Sequence, residues 1–167
     1  ELVTAVKDGK LWNLWHAFIP TPDEMGKAIE KQLKLQEQGS WLPFTIIDNL
    51  TGKAVGMISY LNLDPINYRL EIGSTWLRKS MQRTPINTEV KSLLLTYAFE
   101  SLNCKAVEFR THFLNFQSRK AIERLGAKLD GILRNHMIMT DKTIRDTCVY
   151  SIIDSEWPTI KKHIHWL

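Results

Sequence analysis

The chain has 167 residues, of which 44% are apolar and 24% charged, and its net charge at pH 7 is +4. This length and apolar content suit one globular domain with a sizeable core and exclude an intrinsically disordered chain. The positive charge is small and not clustered, and no apolar run approaches about 20 residues, so neither a nucleic-acid-binding protein nor a membrane-spanning helix is expected.

The N-terminal half predicts helical segments followed by an antiparallel meander. Apolar spacing over residues 2–16 is helical but is interrupted at Asp8-Gly9, and a helix start signal at Thr21 precedes a second stripe that ends at Gly39. Runs rich in β-branched and aromatic residues, separated by short turns, predict three strands. The predicted elements are the helix 23–38 and the strands 41–48, 53–62 and 68–77.

The C-terminal half predicts alternating helices and strands, then a hairpin. A helix over 88–102 is capped by Asn87 or Thr88, and one over 114–125 is capped by Asn115 and ended by Gly126. A last helix has Asp154 or Ser155 as its cap and Pro158 in its first turn. The predicted strands are 106–111, 128–139 and 143–153. We therefore expect an α/β (α+β) fold, a single domain over 1–167 with a mixed, mostly antiparallel sheet and helices on both faces.

A basic loop joins the strand 68–77 to the helix 88–102. The loop carries Arg78, Lys79 and Arg83, and the unpaired amides of the following helix start lie beside it. Such a junction is typical of an anion-binding site, because the amides and the positive end of the helix dipole attract negative charge. The alternative is an ordinary solvated turn.

The same stretch resembles the coenzyme A loop of a known family. Trp76-Leu77, Asn87-Thr88-Glu89-Val90-Lys91, Leu93-Leu94-Leu95 and Ala98-Phe99-Glu100 resemble the GNAT acetyltransferases, closest to the branch that acetylates ribosomal proteins. The resemblance extends from about Leu11 to Trp157. That family usually opens with a strand before the first helix, so we expect the first strand to be missing here and the chain to be truncated.

The resemblance implies acetyl-CoA as co-substrate and a set of residues that bind it. Trp76 and Leu77 would place their amides at the thioester oxygen, and Asn115 and Ser118 would approach the pantetheine arm and the thiol. The implied pyrophosphate-binding residues are Gln82, Arg83, Thr84, Ile86, Asn87 and Thr88.

The loop departs from the family pattern at two positions. Pro85 and Asn87 stand where the family has glycines, so one amide donor is lost and bulk is added. Arg119 and Lys120 are candidates for the adenosine 3′-phosphate, with a solvated helix face as the alternative.

Glu71 and Ser118 are the candidate catalytic residues. By resemblance Glu71 acts as general base on the acceptor ammonium, because a protonated amine cannot attack a thioester. The alternative is a structural partner for Arg69, Arg110 or Arg134. Many relatives protonate the leaving thiolate with a tyrosine where this chain has Ile122, so Ser118 or water would substitute. His112 either lines the acceptor pocket or is a loop histidine.

Cys104 and Cys148 provide neither a disulfide framework nor metal-ligand spacing. No metal site is expected, and a reducing cytoplasm fits this cysteine usage. Because no cysteine lies in the motifs, acetyl transfer would be direct. The expected enzyme acetylates a primary amine, which belongs to a protein N-terminus or to a small molecule. It is expected to be a monomer or a homodimer. The alternatives are a small-amine or antibiotic acetyltransferase and a coenzyme-A-binding module without turnover.

Overall fold

Six strands form one mixed sheet in the order β1-β2-β3-β4-β6-β5. The computed structural model describes residues 1–167. The pairs β1–β2, β4–β6 and β5–β6 are antiparallel, and the pair β3–β4 is parallel. The strands are β1 (Trp41–Asp48), β2 (Lys53–Asp64), β3 (Arg69–Leu77), β4 (Ala106–His112), β5 (Lys128–Ile138) and β6 (Ile144–Ile153). The mixed, mostly antiparallel α/β architecture predicted from the sequence is confirmed.

Five α-helices accompany the sheet. They are α1 (Leu2–Lys7), α2 (Met25–Glu37), α3 (Ile86–Thr96), α4 (Phe116–Arg124) and α5 (Trp157–His165). Short 3-10 turns lie at Leu11–Asn13 and Lys79–Met81, and a π turn over Tyr97–Ser101 continues α3. None of these helices has the length and apolar character that crossing a membrane would require.

Two helix starts differ from the prediction. Helix α3 begins at Ile86, so Asn87 and Thr88 lie inside its first turn rather than capping it. The carbonyl oxygen of Pro85 accepts the amides of Thr88 and Glu89 at 2.9 and 3.0 Å, which starts the helix earlier. Helix α5 has Glu156 as its cap and not Asp154 or Ser155, the two predicted caps. The Asp154 carboxylate accepts from Lys105 Nζ at 2.9 Å.

The chain divides into two compact units, and the first consists of residues 1–63 and 72–91. Its core is an apolar cluster that joins the first helices to strands β2 and β3 of the same unit. The buried members are Ala5, Val6, Leu11, Met25, Met57 and Trp76. This packing fixes Trp76, the residue next to the end of β3, on which the following basic loop is built.

The second unit consists of residues 64–71 and 92–167. Alternate residues of β4 and β6 form its buried apolar face, with Val107 opposite Ile152 and Phe109 opposite Tyr150. Because neighbouring residues of a strand point to opposite faces, the residues between them share the other face. That face is polar, and it carries the charged groups described below.

Candidate active site

In the first unit, the loop after β3 is held by Asp8, a residue that the sequence analysis did not assign to the site. The Asp8 carboxylate accepts hydrogen bonds from Arg78 Nε at 2.8 Å, from Ser80 Oγ at 2.7 Å and from the Ser80 amide at 3.2 Å. The Ser80 hydroxyl and the Arg78 guanidinium hold the pKa of Asp8 below its ordinary value. The only signal in the sequence was the helix break at Asp8-Gly9.

Gly9 allows this approach of the N-terminal segment to the loop. Its φ is +94°, and a Cβ added to it would lie 2.4 Å from the Lys79 Cβ. The Lys79 amide donates to the Asp8 carbonyl oxygen at 3.0 Å. A side chain at residue 9 would therefore both strain the backbone and push the loop away.

The loop leaves a group of backbone amides available for an anion. The amides of Gln82 and Thr88 donate to the carbonyls of Lys79 and Pro85, at 3.2 and 2.9 Å. The side chain of Gln82 ties the loop to Leu77, donating from Nε2 to the carbonyl oxygen at 3.0 Å. In contrast, four loop amides donate to no other residue of the protein, namely those of Arg83, Thr84, Ile86 and Asn87.

These four amides stand at the start of α3, where the helix dipole is positive. Arg83 has a left-handed φ of 62° and an exposed side chain. A left-handed residue at a turn helps successive N–H groups to face the same side, the arrangement known to bind anions. The predicted phosphate-binding positions Arg83, Thr84, Ile86 and Asn87 thus have free donors, whereas the Thr88 amide is already used.

In the second unit, Glu71 is a buried carboxylate on the polar face. It lies opposite Glu108 of β4, the last of the three residue pairs that join β3 to β4. Its Oε2 lies 3.6 Å from Arg110 Nε, and its side chain is 8% exposed. Of the three arginines considered as its partner, Arg110 is the one in contact. Arg69 binds Glu108 instead, at 2.6 Å, and Arg134 binds Asp146 at 2.5 Å.

Glu108 shares Arg110 with Glu71. Its Oε2 accepts from Arg110 Nη2 at 3.0 Å and from Nε at 3.2 Å. Burial alone would raise the pKa of Glu108, but the hydrogen bonds from Arg69 and Arg110 outweigh burial and hold that pKa below its ordinary value. The guanidinium of Arg110 is therefore divided between two carboxylates.

Asn115 caps helix α4, as predicted. Its Oδ1 accepts the Ser118 amide at 3.1 Å, and its own amide donates to the His112 carbonyl at 2.9 Å. His112 is the last residue of β4 and only 5% exposed. The Leu114 amide donates to the Nδ1 of His112 at 3.0 Å. Because strand β4 extends one residue further than predicted and includes His112, the interpretation of His112 as a loop histidine is wrong.

The rest of α4 is occupied by structural contacts. Arg119 donates from Nε to the Tyr150 hydroxyl at 3.0 Å and from Nη1 to the Phe113 carbonyl at 3.2 Å, and its guanidinium lies 5.0 Å from the Phe113 ring centre. The hydrogen bond to Tyr150 contributes most to raising the Arg119 pKa. Arg119 is thus half-buried and held by protein contacts, whereas Lys120 is exposed. Ile122 is buried.

A second group of polar residues on this face was not identified from the sequence. Arg145 is buried and donates from Nε to Thr147 Oγ1 at 2.9 Å, and Thr147 Oγ1 lies 3.0 Å from His136 Nδ1. In the sequence these residues look like the ordinary polar positions of an alternating hairpin. The structure brings together no group of three or more His, Cys, Asp or Glu side chains able to hold a metal ion.

Among the curated proteins that resemble the chain in sequence are the following two. YdaF of Bacillus subtilis (strain 168), provisionally named a ribosomal N-acetyltransferase, is 35% identical over 106 residues, which are 64% of this chain and 57% of YdaF. The chain thus matches little more than half the length of that relative. The ribosomal-protein-serine acetyltransferase of Escherichia coli (strain K12) is 26% identical over 143 residues, 85% of this chain and 78% of that protein.

A solved structure and a family model also match the chain. The crystal structure of a GCN5-related N-acetyltransferase from Brucella melitensis superimposes with a TM-score of 0.86 at 31% identity, covering 99% of this chain and 75% of that one. Residues 2–128 match the family model described as the acetyltransferase (GNAT) domain. The match spans most of the sequence, and the chain therefore belongs to the GNAT acetyltransferase domain family.

Proposed function

We propose that the protein transfers the acetyl group of acetyl-CoA directly to a primary amine, and that the amine is a protein N-terminus. The observation that carries this proposal is the group of four amides with no acceptor in the protein, at Arg83, Thr84, Ile86 and Asn87, directly before α3. In a chain of the GNAT family, such a group is suited to the pyrophosphate of coenzyme A.

Binding of the donor rests on the backbone more than on side chains. The four amides would each donate to phosphate oxygens, and the exposed Arg83 guanidinium would add a charge-assisted bond. Pro85 contributes no amide, but its carbonyl oxygen fixes the first turn of α3 through Thr88 and Glu89. The helix start therefore stays ordered although the glycines typical of the family are absent.

The chemistry assigned to this chain requires one proton acceptor and one proton donor. Glu71 removes a proton from the acceptor ammonium, and the neutral amine attacks the thioester carbon. The carbonyl oxygen becomes negative in the tetrahedral intermediate, which amides near Trp76 and Leu77 stabilise. The carbon–sulfur bond then breaks, and the thiolate takes a proton from Ser118 or from water.

The protein acceptor is supported by the names of the two curated relatives, both of which refer to ribosomal acetyltransferases. A second candidate function is a coenzyme-A-binding module without turnover. It is favoured by Pro85, which removes one amide from the loop, and by Ile122, which is buried and has no acidic proton.

One assay separates these functions. Acetyl-CoA is incubated with the protein and with peptides, polyamines or aminoglycosides, and free thiol is measured. We expect thiol release with peptides, and mass spectrometry should place the acetyl group on the α-amine. Faster reaction with polyamines or aminoglycosides would contradict a protein acceptor. If calorimetry shows that coenzyme A binds but no amine causes thiol release, the second candidate function, a binding module without turnover, is supported.

A further inference from the structure

Arg145 is the most unusual charged residue of the second unit. It lies near the start of β6 and is only 9% exposed. A guanidinium stays protonated in proteins, so burying one is costly unless an anion compensates it. Burial lowers the pKa of Arg145, whereas the charge of Glu71 acts in the opposite direction.

The contacts of Arg145 do not compensate this charge. Its Nε donates to the Thr147 hydroxyl, which is neutral and itself buried. No carboxylate oxygen lies within the 4.0 Å that defines an ion pair, so the four terminal N–H groups have no carboxylate partner. Arg69, Arg78 and Arg134 are more exposed, yet each has a carboxylate, at 2.6, 2.8 and 2.5 Å.

The hydroxyl of Thr147 fixes the direction of this guanidinium. It contacts Arg145 Nε at 2.9 Å and His136 Nδ1 at 3.0 Å, and it accepts from the arginine. Arg145 is thus held through its Nε, and its four terminal N–H groups remain available to another acceptor.

Register places Arg145 on the same face of the sheet as Glu71. Glu71 lies opposite Glu108, and on the other side of β4 His112 lies opposite Thr147. Glu108 and His112 are four residues apart on β4, and Thr147 and Arg145 two apart on β6, so all of them share one face. The two side chains of Glu71 and Arg145 form no ion pair, and the charge of Glu71 favours the protonated guanidinium of Arg145.

We propose that Arg145 binds a carboxylate of the acceptor whose amine is deprotonated at Glu71. The inference rests on the proposed function and narrows its substrate class to amines that carry a carboxylate near the reacting nitrogen. A planar guanidinium matches a carboxylate with two parallel hydrogen bonds. Two sources present this chemistry, the side chain of an acidic residue next to a peptide N-terminus and the α-carboxylate of a free amino acid.

A purely structural role explains the residue less well. A buried charge without an ionic partner destabilises a fold, and an apolar side chain of similar volume removes that cost. Arg69 and Arg134 of the same unit each form an ion pair with a carboxylate of the protein, as an arginine with a structural role is expected to do. Arg145 lacks such a carboxylate within the protein, and the carboxylate of the bound acceptor would supply it.

The experiment compares acceptors that differ only in charge. Peptides beginning Ser-Asp and Ser-Asn form the first pair, and free serine and serinamide form the second. For the pair that matches the natural source, kcat/KM should favour the carboxylate over the amide by about tenfold or more, because the amide leaves the guanidinium unpaired. The pair that shows the preference identifies the source. Equal values within both pairs, or a preference for the amides, would overturn the proposal.

Three variants assign the preference to Arg145. In Arg145→Gln the ratio within the preferred pair should fall to about one, and in Arg145→Lys it should be partly retained, since a point charge remains. Arg134→Gln is the matched control: Arg134 lies on the paired strand of the same hairpin, is exposed and binds Asp146. Its ratio should equal that of the wild type. A preference that persists in Arg145→Gln would overturn the assignment, and if that variant fails to fold, the wild-type and Arg145→Lys ratios decide.

A binding measurement separates this inference from the proposed function. The N-acetylated Ser-Asp and Ser-Asn peptides are titrated into the wild type and the Arg145 variants by calorimetry, with N-acetylserine and its amide as the second pair. Tighter binding of the carboxylate member, lost in Arg145→Gln, supports the inference even if no amine is acetylated. Equal binding within both pairs counts against the inference whether or not acetyl transfer occurs.

Discussion

The chemistry of Glu71 depends on how its neighbours divide their charge. Arg110 lies 3.6 Å from Glu71 but makes its shorter contacts, 3.0 and 3.2 Å, with Glu108. A guanidinium at hydrogen-bonding distance would hold Glu71 ionised and make it a weak base. Arg110 makes its shorter contacts with Glu108, and its contact with Oε2 of Glu71 is the longer one. The role of Glu71 as a general base is a prediction, which a variant can test.

The first prediction concerns Glu71→Gln. The variant should have a kcat/KM lower by about a hundredfold to ten-thousandfold near neutral pH, the usual contribution of a general base. The loss should shrink as the pH rises, since the acceptor amine is then already deprotonated. Coenzyme A affinity, measured by calorimetry, should not change. A pH–rate profile parallel to that of the wild type would assign Glu71 a structural role, such as its ion pair with Arg110.

The second prediction concerns Ser118→Ala. If the hydroxyl protonates the leaving thiolate, single-turnover thiol release should slow by about tenfold to a hundredfold, the low end expected for an acid that assists a good leaving group. The variant keeps its backbone amide, so the 3.1 Å bond to Asn115 and the start of α4 are retained. An unchanged single-turnover rate would show that water serves the thiolate.

At the scale of the elements, the loop before α3 is positioned from the N-terminal segment. Asp8 contacts Arg78 and Ser80, which lie 70 and 72 positions further along the chain. Such a contact leaves no local pattern, so the sequence showed a helix break at this point and nothing more. Helix α3 starts two residues earlier than predicted, because the Pro85 carbonyl oxygen accepts the amides of Thr88 and Glu89. The prediction had relied on the polar residues Asn87 and Thr88 as caps.

The third prediction tests this attachment with Asp8→Asn. The variant loses the charge that pairs with Arg78, and the free energy of unfolding should fall by about 1 kcal/mol, a value reduced by the partial exposure of the pair. Because the folded-state pKa of Asp8 is lowered, its contribution is present above its ordinary value of 3.8 and is lost as the pH falls through the lower folded pKa. The stability difference should therefore be constant from about pH 5 to 8 and shrink below about pH 4.

Coenzyme A affinity is the second measurement on Asp8→Asn. It should weaken, because the loop that carries the four free amides begins at the residues that Asp8 holds. Asp64→Asn is the control: Asp64 also accepts hydrogen bonds in a turn, from Asn67, but it lies in the other unit. Unchanged affinity in Asp8→Asn would show that the loop keeps its shape without the carboxylate.

The fourth prediction concerns the close contact of β2 with β3. A Cβ added to Gly56 would lie 2.1 Å from the Trp76 carbonyl oxygen and 3.0 Å from the Leu77 Cα, so backbone and not side chain has to move. Gly56→Ala should lower the free energy of unfolding by about 2–3 kcal/mol in denaturant titrations, as overpacking of a core does. Gly131→Ala is the control, because nothing lies within 4 Å of its added Cβ. Equal stability of the two variants would contradict the tight packing at Trp76.

For the whole molecule, local patterns predicted which elements exist and in what order. Strand β1 was placed to the residue, and the hairpin β5–β6 to within one, because alternation and turn residues are local signals. The loop with the free amides could be predicted, since it belongs to a short strand–loop–helix segment. The burial of Arg145 and of Glu71 could not, because it depends on the strand order β3-β4-β6, which joins segments far apart in sequence.

The fifth prediction is that the whole molecule transfers acetyl groups without an acyl-enzyme. Cys104 and Cys148 are both buried, and burial raises the pKa of each thiol, so little thiolate exists at neutral pH. The double variant Cys104→Ala, Cys148→Ala should keep the wild-type rate of thiol release at temperatures where it remains folded. Initial-rate plots against acetyl-CoA and acceptor should intersect, whereas an acyl-enzyme gives the parallel lines of ping-pong kinetics. Parallel lines, together with acetylated protein found by mass spectrometry in the absence of acceptor, would show a covalent intermediate and rule out direct transfer.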